Sequence, residues 1–81
     1  MIGLIERKDS LGDLSYFTII GVDKDSLFNQ MSELNDNAYY CDTGNHFRLI
    51  GHKINGQWFD NCGKILDNHI IAKLIKEDGV I

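Results

Sequence analysis

The sequence predicts an α+β fold: one small domain whose four- to five-stranded, mostly antiparallel sheet carries two helices on one face. Three observations carry that expectation. Residues 46–60, HFRLIGHKINGQWFD, read as two extended segments joined at Asn55-Gly56, the dipeptide that most favours a type I′ turn because both central residues tolerate positive φ. Leu27, Phe28, Met31 and Leu34, and later Ile70, Ile71, Leu74 and Ile75, recur at the spacing of an apolar helix stripe. The run LSYFTIIGV, Leu14 to Val22, is rich in β-branched and aromatic residues and apolar on both parities, which fits a central strand better than an edge strand.

Taken in order, Met1 to Lys8 starts apolar and turns charged, giving a first strand over Ile2 to Arg7. Asp9 to Asp13 holds the Asp, Ser and Gly of a turn. Gly21 marks a bulge or a close approach of another backbone, and Asp23 or Asp25 caps the first helix. Asn35-Asp36-Asn37 ends that helix, and Ala38 to Asp42 (AYYCD) is a short strand before the turn Thr43-Gly44-Asn45.

In the hairpin, Ile54 faces Gln57, His52 faces Phe59 and Ile50 faces Asn61 on one side. Lys53 with Trp58, Gly51 with Asp60, and Leu49 with Cys62 occupy the other side, extended by Phe47. After a bend at Asn61-Cys62-Gly63-Lys64, Ile65-Leu66 resumes extended structure, and Asp67 or Asn68 caps a last helix. Lys73 and Lys76 complement its dipole and Gly79 stops it. The expected order is ββαβββα. Trp58, Phe47, Leu49, Tyr39 and Tyr40 are the candidates for the sheet face that two helices on one side would leave open.

Length and composition narrow the function classes. The chain's 81 residues form a single domain, 1–81, and 43% hydrophobic with 25% charged residues is the balance of a globular domain, not a disordered tail. Neither an apolar run near the roughly 20 residues of a membrane span nor a basic-then-apolar leader occurs, so a cytoplasmic site is expected. Two cysteines, Cys41 and Cys62, do not make a disulfide scaffold and are expected reduced.

The candidate chemistry is weak in each case. Cys41, His46, His52 and Cys62 form C-x4-H-x5-H-x9-C, but zinc sites bring ligands in close pairs, and His46 and His52 on a regular strand lie about 20 Å apart. A Cys62 nucleophile would need His69 or His52 in reach and a third group to orient it. The carboxylates at Asp9, Asp13, Asp23, Asp25 and Asp36 are already accounted for by turns and caps. Asp23-Lys24-Asp25-Ser26 lacks the glycine and distal glutamate of a calcium loop. No enzyme, metal or cofactor is expected.

The segment from Asp23 to Asp78, with a helix, three strands and a helix, resembles a double-stranded-RNA-binding domain in element order. That resemblance implies a basic second helix, whereas here the last helix offers only Lys73 and Lys76. Direct nucleic-acid binding is not expected of a chain with net charge −4, because phosphate neutralisation supplies most of such affinity.

The charge is uneven. Residues 1–40 hold seven acids against three bases, and residues 41–81 hold five of each. The ordinary role of such turn carboxylates is solubility. The sharper expectation is a negative patch at Asp9, Asp13, Asp23, Asp25 and Asp36, joined by Tyr39, Tyr40 and Trp58, that docks on a basic groove of a larger host protein. Small size, acidity, many asparagines and isoleucines and no proline suit a phage or mobile-element reading frame, hence an inhibitor of a bacterial defence or transcription protein that handles nucleic acid. A homo-oligomeric scaffold, minimally a homodimer, associating through an open sheet face is the alternative.

Overall fold

The structure, a computed structural model, describes residues 1–79, with side chains to residue 75. Its elements are β1 (Ile2–Lys8), β2 (Leu14–Ile20), α1 (Lys24–Tyr40), β3 (His46–Ile54), β4 (Gln57–Phe59) and α2 (Asn68–Gly79). The domain is α+β, with one antiparallel sheet ordered β2-β1-β3-β4.

The helices lie on opposite faces, not on one. Leu4 and Ile5 are adjacent on β1, so their side chains leave the sheet in opposite directions. Ile5 joins Leu27, Ala38, Phe47 and Leu49 beneath α1. Leu4 joins Trp58 and Ile71 beneath α2. Two narrow apolar stripes on a small sheet bury more when each takes its own face, and β1 is apolar on both parities to receive them.

That placement also exchanges the roles of the first two strands. LSYFTII is an edge strand, and β1 is the one paired on both sides. Tyr16 and Phe17 point to different faces, each toward a different core, which explains the apolar run without a central position.

Helix α1 begins as expected. The Asp23 carboxylate accepts the Ser26 N–H at 2.9 Å as its N-cap. It does not stop at Asn35-Asp36-Asn37, and the expected strand at Ala38–Asp42 is its last turn followed by the C-cap Cys41. Ala38 continues the stripe of Leu27, Met31 and Leu34 into the core, while the Asn35 side chain accepts the Phe47 N–H at 2.8 Å and donates to the Phe47 carbonyl at 2.9 Å. Tertiary partners thus outweigh the weak helix propensity of three asparagine and aspartate residues. The chain leaves the helix through Asp42 at φ 52° and Gly44 at φ 78°.

The hairpin forms where expected, with Asn55 at φ 50° and Gly56 at φ 81°, and with Ile54 facing Gln57, Lys53 facing Trp58 and His52 facing Phe59. Pairing ends there. Asp60 N–H donates to the Lys64 carbonyl, and the Asp60 side chain accepts from the Cys62 and Lys64 amides at 2.8 and 2.9 Å, turning the chain away. Of the expected strand at Ile65-Leu66, one bridge from Ile65 to Phe59 remains, so the order is ββαββα and departs from that of the RNA-binding fold.

A β-bulge alters the facing of β3. Ile5 pairs with Leu49 but Leu4 pairs with Gly51, leaving Ile50 as the extra residue. Leu49 and Phe47 therefore share the α1 face with His52 instead of joining Trp58.

Helix α2 is started by Asp67, whose side chain accepts the His69 N–H at 2.8 Å. Asn68 ties it to the hairpin, accepting the Trp58 N–H at 3.1 Å and donating to the Gly56 carbonyl at 2.8 Å. The helix runs to Gly79, while the side chain of Lys76 lies outside the described residues.

Candidate functional site

β2 carries the chain from the Asp9–Asp13 turn to the start of α1, so its seven residues hold Asp9 and Asp13 roughly 20 Å from Asp23 and Asp25. The acids therefore do not form one patch. The 17-residue α1 then returns and brings Asp36, Tyr39 and Tyr40 to the end of the molecule that holds the Asp9–Asp13 turn. The turn after α1 closes on this end, with a Cβ on Gly44 falling 2.7 Å from the Ser10 side chain.

Tyr39 and Tyr40 are 85% and 84% exposed, and their rings meet edge to face with centroids 6.2 Å apart. They flank a shallow depression lined also by Asn35, Asp42, Asn45 and His46. Asp9, Asp13, Asp36 and Asp42 stand at this end, interrupted by Arg7 and Lys8 at the end of β1. Asp9 is committed to its turn, accepting from the Leu11 and Asp13 amides at 2.9 Å each. Asp36 and Asp42 are exposed. No family model, curated protein or solved structure matches this chain.

Trp58 is a core residue. It is 4% exposed beneath α2 on one side of the sheet, with the Lys53 ammonium 5.8 Å from its ring centroid. Phe47 and Leu49 are likewise buried, under α1, so among the described residues the three sheet side chains expected on an open face are covered. The sign that pointed there was the apolar parity of the hairpin, which the bulge at Ile50 redistributes between the two cores.

Cys41 and Cys62 are exposed, one at the α1 C-cap and one in the Asp60 turn, while His46 is exposed and His52 is buried. Among the described residues no group of three or more His, Cys, Asp and Glu side chains is placed to hold a metal ion. No helix among them is long and apolar enough to cross a membrane.

Among the described residues His52 is the one buried polar side chain, which the sequence reading weighed only as a metal ligand or a partner for Cys62. It is 6% exposed, stacks on Phe59 at 5.9 Å between centroids, and its Nδ1 has no hydrogen-bond partner. Burial, reinforced by the positive charge of Lys24 and opposed by Asp60, holds its pKa below the ordinary 6.5. Because the unfolded chain binds this proton more readily, stability falls as pH drops from about 6.5 toward the folded-state value, and then no further from this group. His52→Leu removes the orphan nitrogen and this slope together, raising stability at pH near 5.5 by about 1 kcal/mol or more. Urea unfolding of both chains at neutral and mildly acid pH checks this, and an undiminished slope in His52→Leu would refute it.

Proposed function

We propose that the chain is a non-enzymatic binding protein that seats its tyrosine end on a basic surface of a larger protein and so inhibits or modulates it. The observation that carries this reading is the Tyr39–Tyr40 pair, two adjoining rings left in water on the last turn of α1. Tyrosine supplies large contact area at small entropic cost and recurs among the residues that dominate binding energy. Asp36 and Asp42 beside it would steer the encounter toward positive charge. The partner class that fits is a bacterial nucleic-acid-handling protein of a defence or transcription complex, met in the cytoplasm, whose groove ordinarily receives phosphates. Nucleic acid itself is a poor ligand for these carboxylates.

The test is titration of the partner recovered with the wild-type chain. Tyr39→Ala with Tyr40→Ala weakens binding by about 2 kcal/mol or more, roughly 30-fold, without loss of stability. Asp36→Lys also weakens it and flattens the salt dependence, whereas Asp25→Lys at the other end leaves it unchanged. Unaltered affinity in the double tyrosine variant would reject the reading.

A further inference from the structure

Helix α1 ends without the positive charge that usually answers a helix C-terminus, and from what surrounds that end we infer that the tyrosine depression is a site for an arginine side chain presented by the partner. This inference rests on the proposed function and names the chemistry that the partner brings. The aligned peptide dipoles of α1 leave a partial negative charge at its C-terminus, which a basic side chain in the last turn ordinarily offsets. Here the last turn holds none. The chain then leaves the helix through Asp42, whose exposed carboxylate lines the same depression as both tyrosines. Neither lysine nor arginine lines it, and His46 is the one lining side chain able to carry positive charge.

Tyr39 and Tyr40 give this negative end a shape. Their rings stand at 74° to each other with centroids 6.2 Å apart, a corner of two π surfaces left in water. The fold does not need them for packing, since Ala38 is the last residue of α1 in the core. The negative face of an aromatic ring attracts a cation within about 6 Å of its centroid. A guanidinium suits this corner because it is planar, weakly hydrated and able to stack on one ring while its N–H groups reach a carboxylate in its own plane. The Asn35 amide is engaged by Phe47, which leaves the Asp42 carboxylate as the acceptor that the guanidinium meets.

The other cations fit less well. An ammonium is a compact and strongly hydrated point charge, and a shallow depression does not strip its water. A divalent metal ion needs several ligands, and among the described residues no three metal-binding side chains come together. The chain's own cations are placed elsewhere. Lys53 lies over the Trp58 ring, Arg48 is drawn to Glu6 at 3.6 Å, and Arg7 and Lys8 line no part of the depression. The aromatic corner, the carboxylate and the helix end thus converge on a positive charge that this chain does not supply.

Titration of the full chain with the blocked tripeptide acetyl-Gly-Arg-Gly-amide, followed by the NMR signals of Tyr39, Tyr40 and Asp42, tests this. The arginine peptide binds saturably in the millimolar range, and acetyl-Gly-Lys-Gly-amide, of equal charge, binds at least about 3-fold more weakly. Asp42→Asn lowers the arginine affinity about 3-fold or more, and asparagine accepts the φ of 52° as aspartate does, so the turn is kept. Tyr39→Leu with Tyr40→Leu, at two exposed positions, abolishes binding in a chain still folded by circular dichroism. Tyr39→Phe with Tyr40→Phe retains it, because the rings and not the hydroxyls hold the cation. No saturable shift up to about 50 mM, or an equal response to the lysine peptide, overturns the inference. The docking role of the tyrosine end fails separately, if the double alanine variant keeps its partner. Loss of the partner in that variant beside an unresponsive arginine peptide removes the arginine alone.

Discussion

Trp58→Ala lowers the unfolding free energy by about 3–5 kcal/mol, a large share of what a domain of this size possesses. The indole sits between the sheet and α2 with Leu4 and Ile71 as its buried neighbours and Ile50, Leu66, Leu74 and Ile75 around them. Alanine leaves a void that this small core has no spare side chain to fill. Because α2 is held to the hairpin by Asn68 and to the sheet by this cluster, its helical signal should weaken first. Urea unfolding followed by circular dichroism gives the number, and Trp58→Phe should recover more than half the loss. A change under about 1 kcal/mol would mean that α2 does not cover this face.

Gly51→Ala destabilises by about 1–3 kcal/mol for a different reason. A Cβ at Gly51 would lie 2.8 Å from the Phe59 carbonyl oxygen and 3.2 Å from the Leu66 side chain. The leucine can rotate, but the carbonyl belongs to β4, so relief requires the end of the hairpin to move. Gly56→Ala in the same hairpin meets no atom and is strained only through its positive φ, which makes it the control. Thermal unfolding of the two variants side by side separates a steric collision from a conformational preference, and equal losses would argue against the collision.

Much of this architecture is legible in local chemistry. The hairpin announces itself through Asn55-Gly56, the Asp9 turn through its short polar residues, and α1 through the Asp23 cap and the Leu27 stripe. What escapes is decided by distant partners. Asn35 reads as a helix terminator until Phe47 is seen to need an amide, and Tyr39-Tyr40 reads as a strand until Ala38 is seen in the core. The bulge at Ile50 leaves no mark in the sequence, yet it assigns Leu49 and Trp58 to different cores. Of the candidate site, the exposure of Tyr39 and Tyr40 agrees with the sequence reading, whereas the single acidic patch fails. A linear charge count cannot tell which end of a helix or strand each carboxylate occupies.

Gly3 has a meaning that goes beyond close packing. A Cβ there would stand 3.0 Å from Leu27 and 3.1 Å from Leu49, so even a methyl group in the slot under α1 requires these leucine side chains to give by a few tenths of an ångström, and a larger side chain requires more. If β1 slid by one position, Ile2 or Leu4 would enter that slot, and a slide by two would bring in Met1 or Ile5. Each of these misaligned threadings of the central strand meets crowding at the same point. The smallest residue in β1 thus acts as the notch of a key, setting the alignment of the whole sheet through what it lacks.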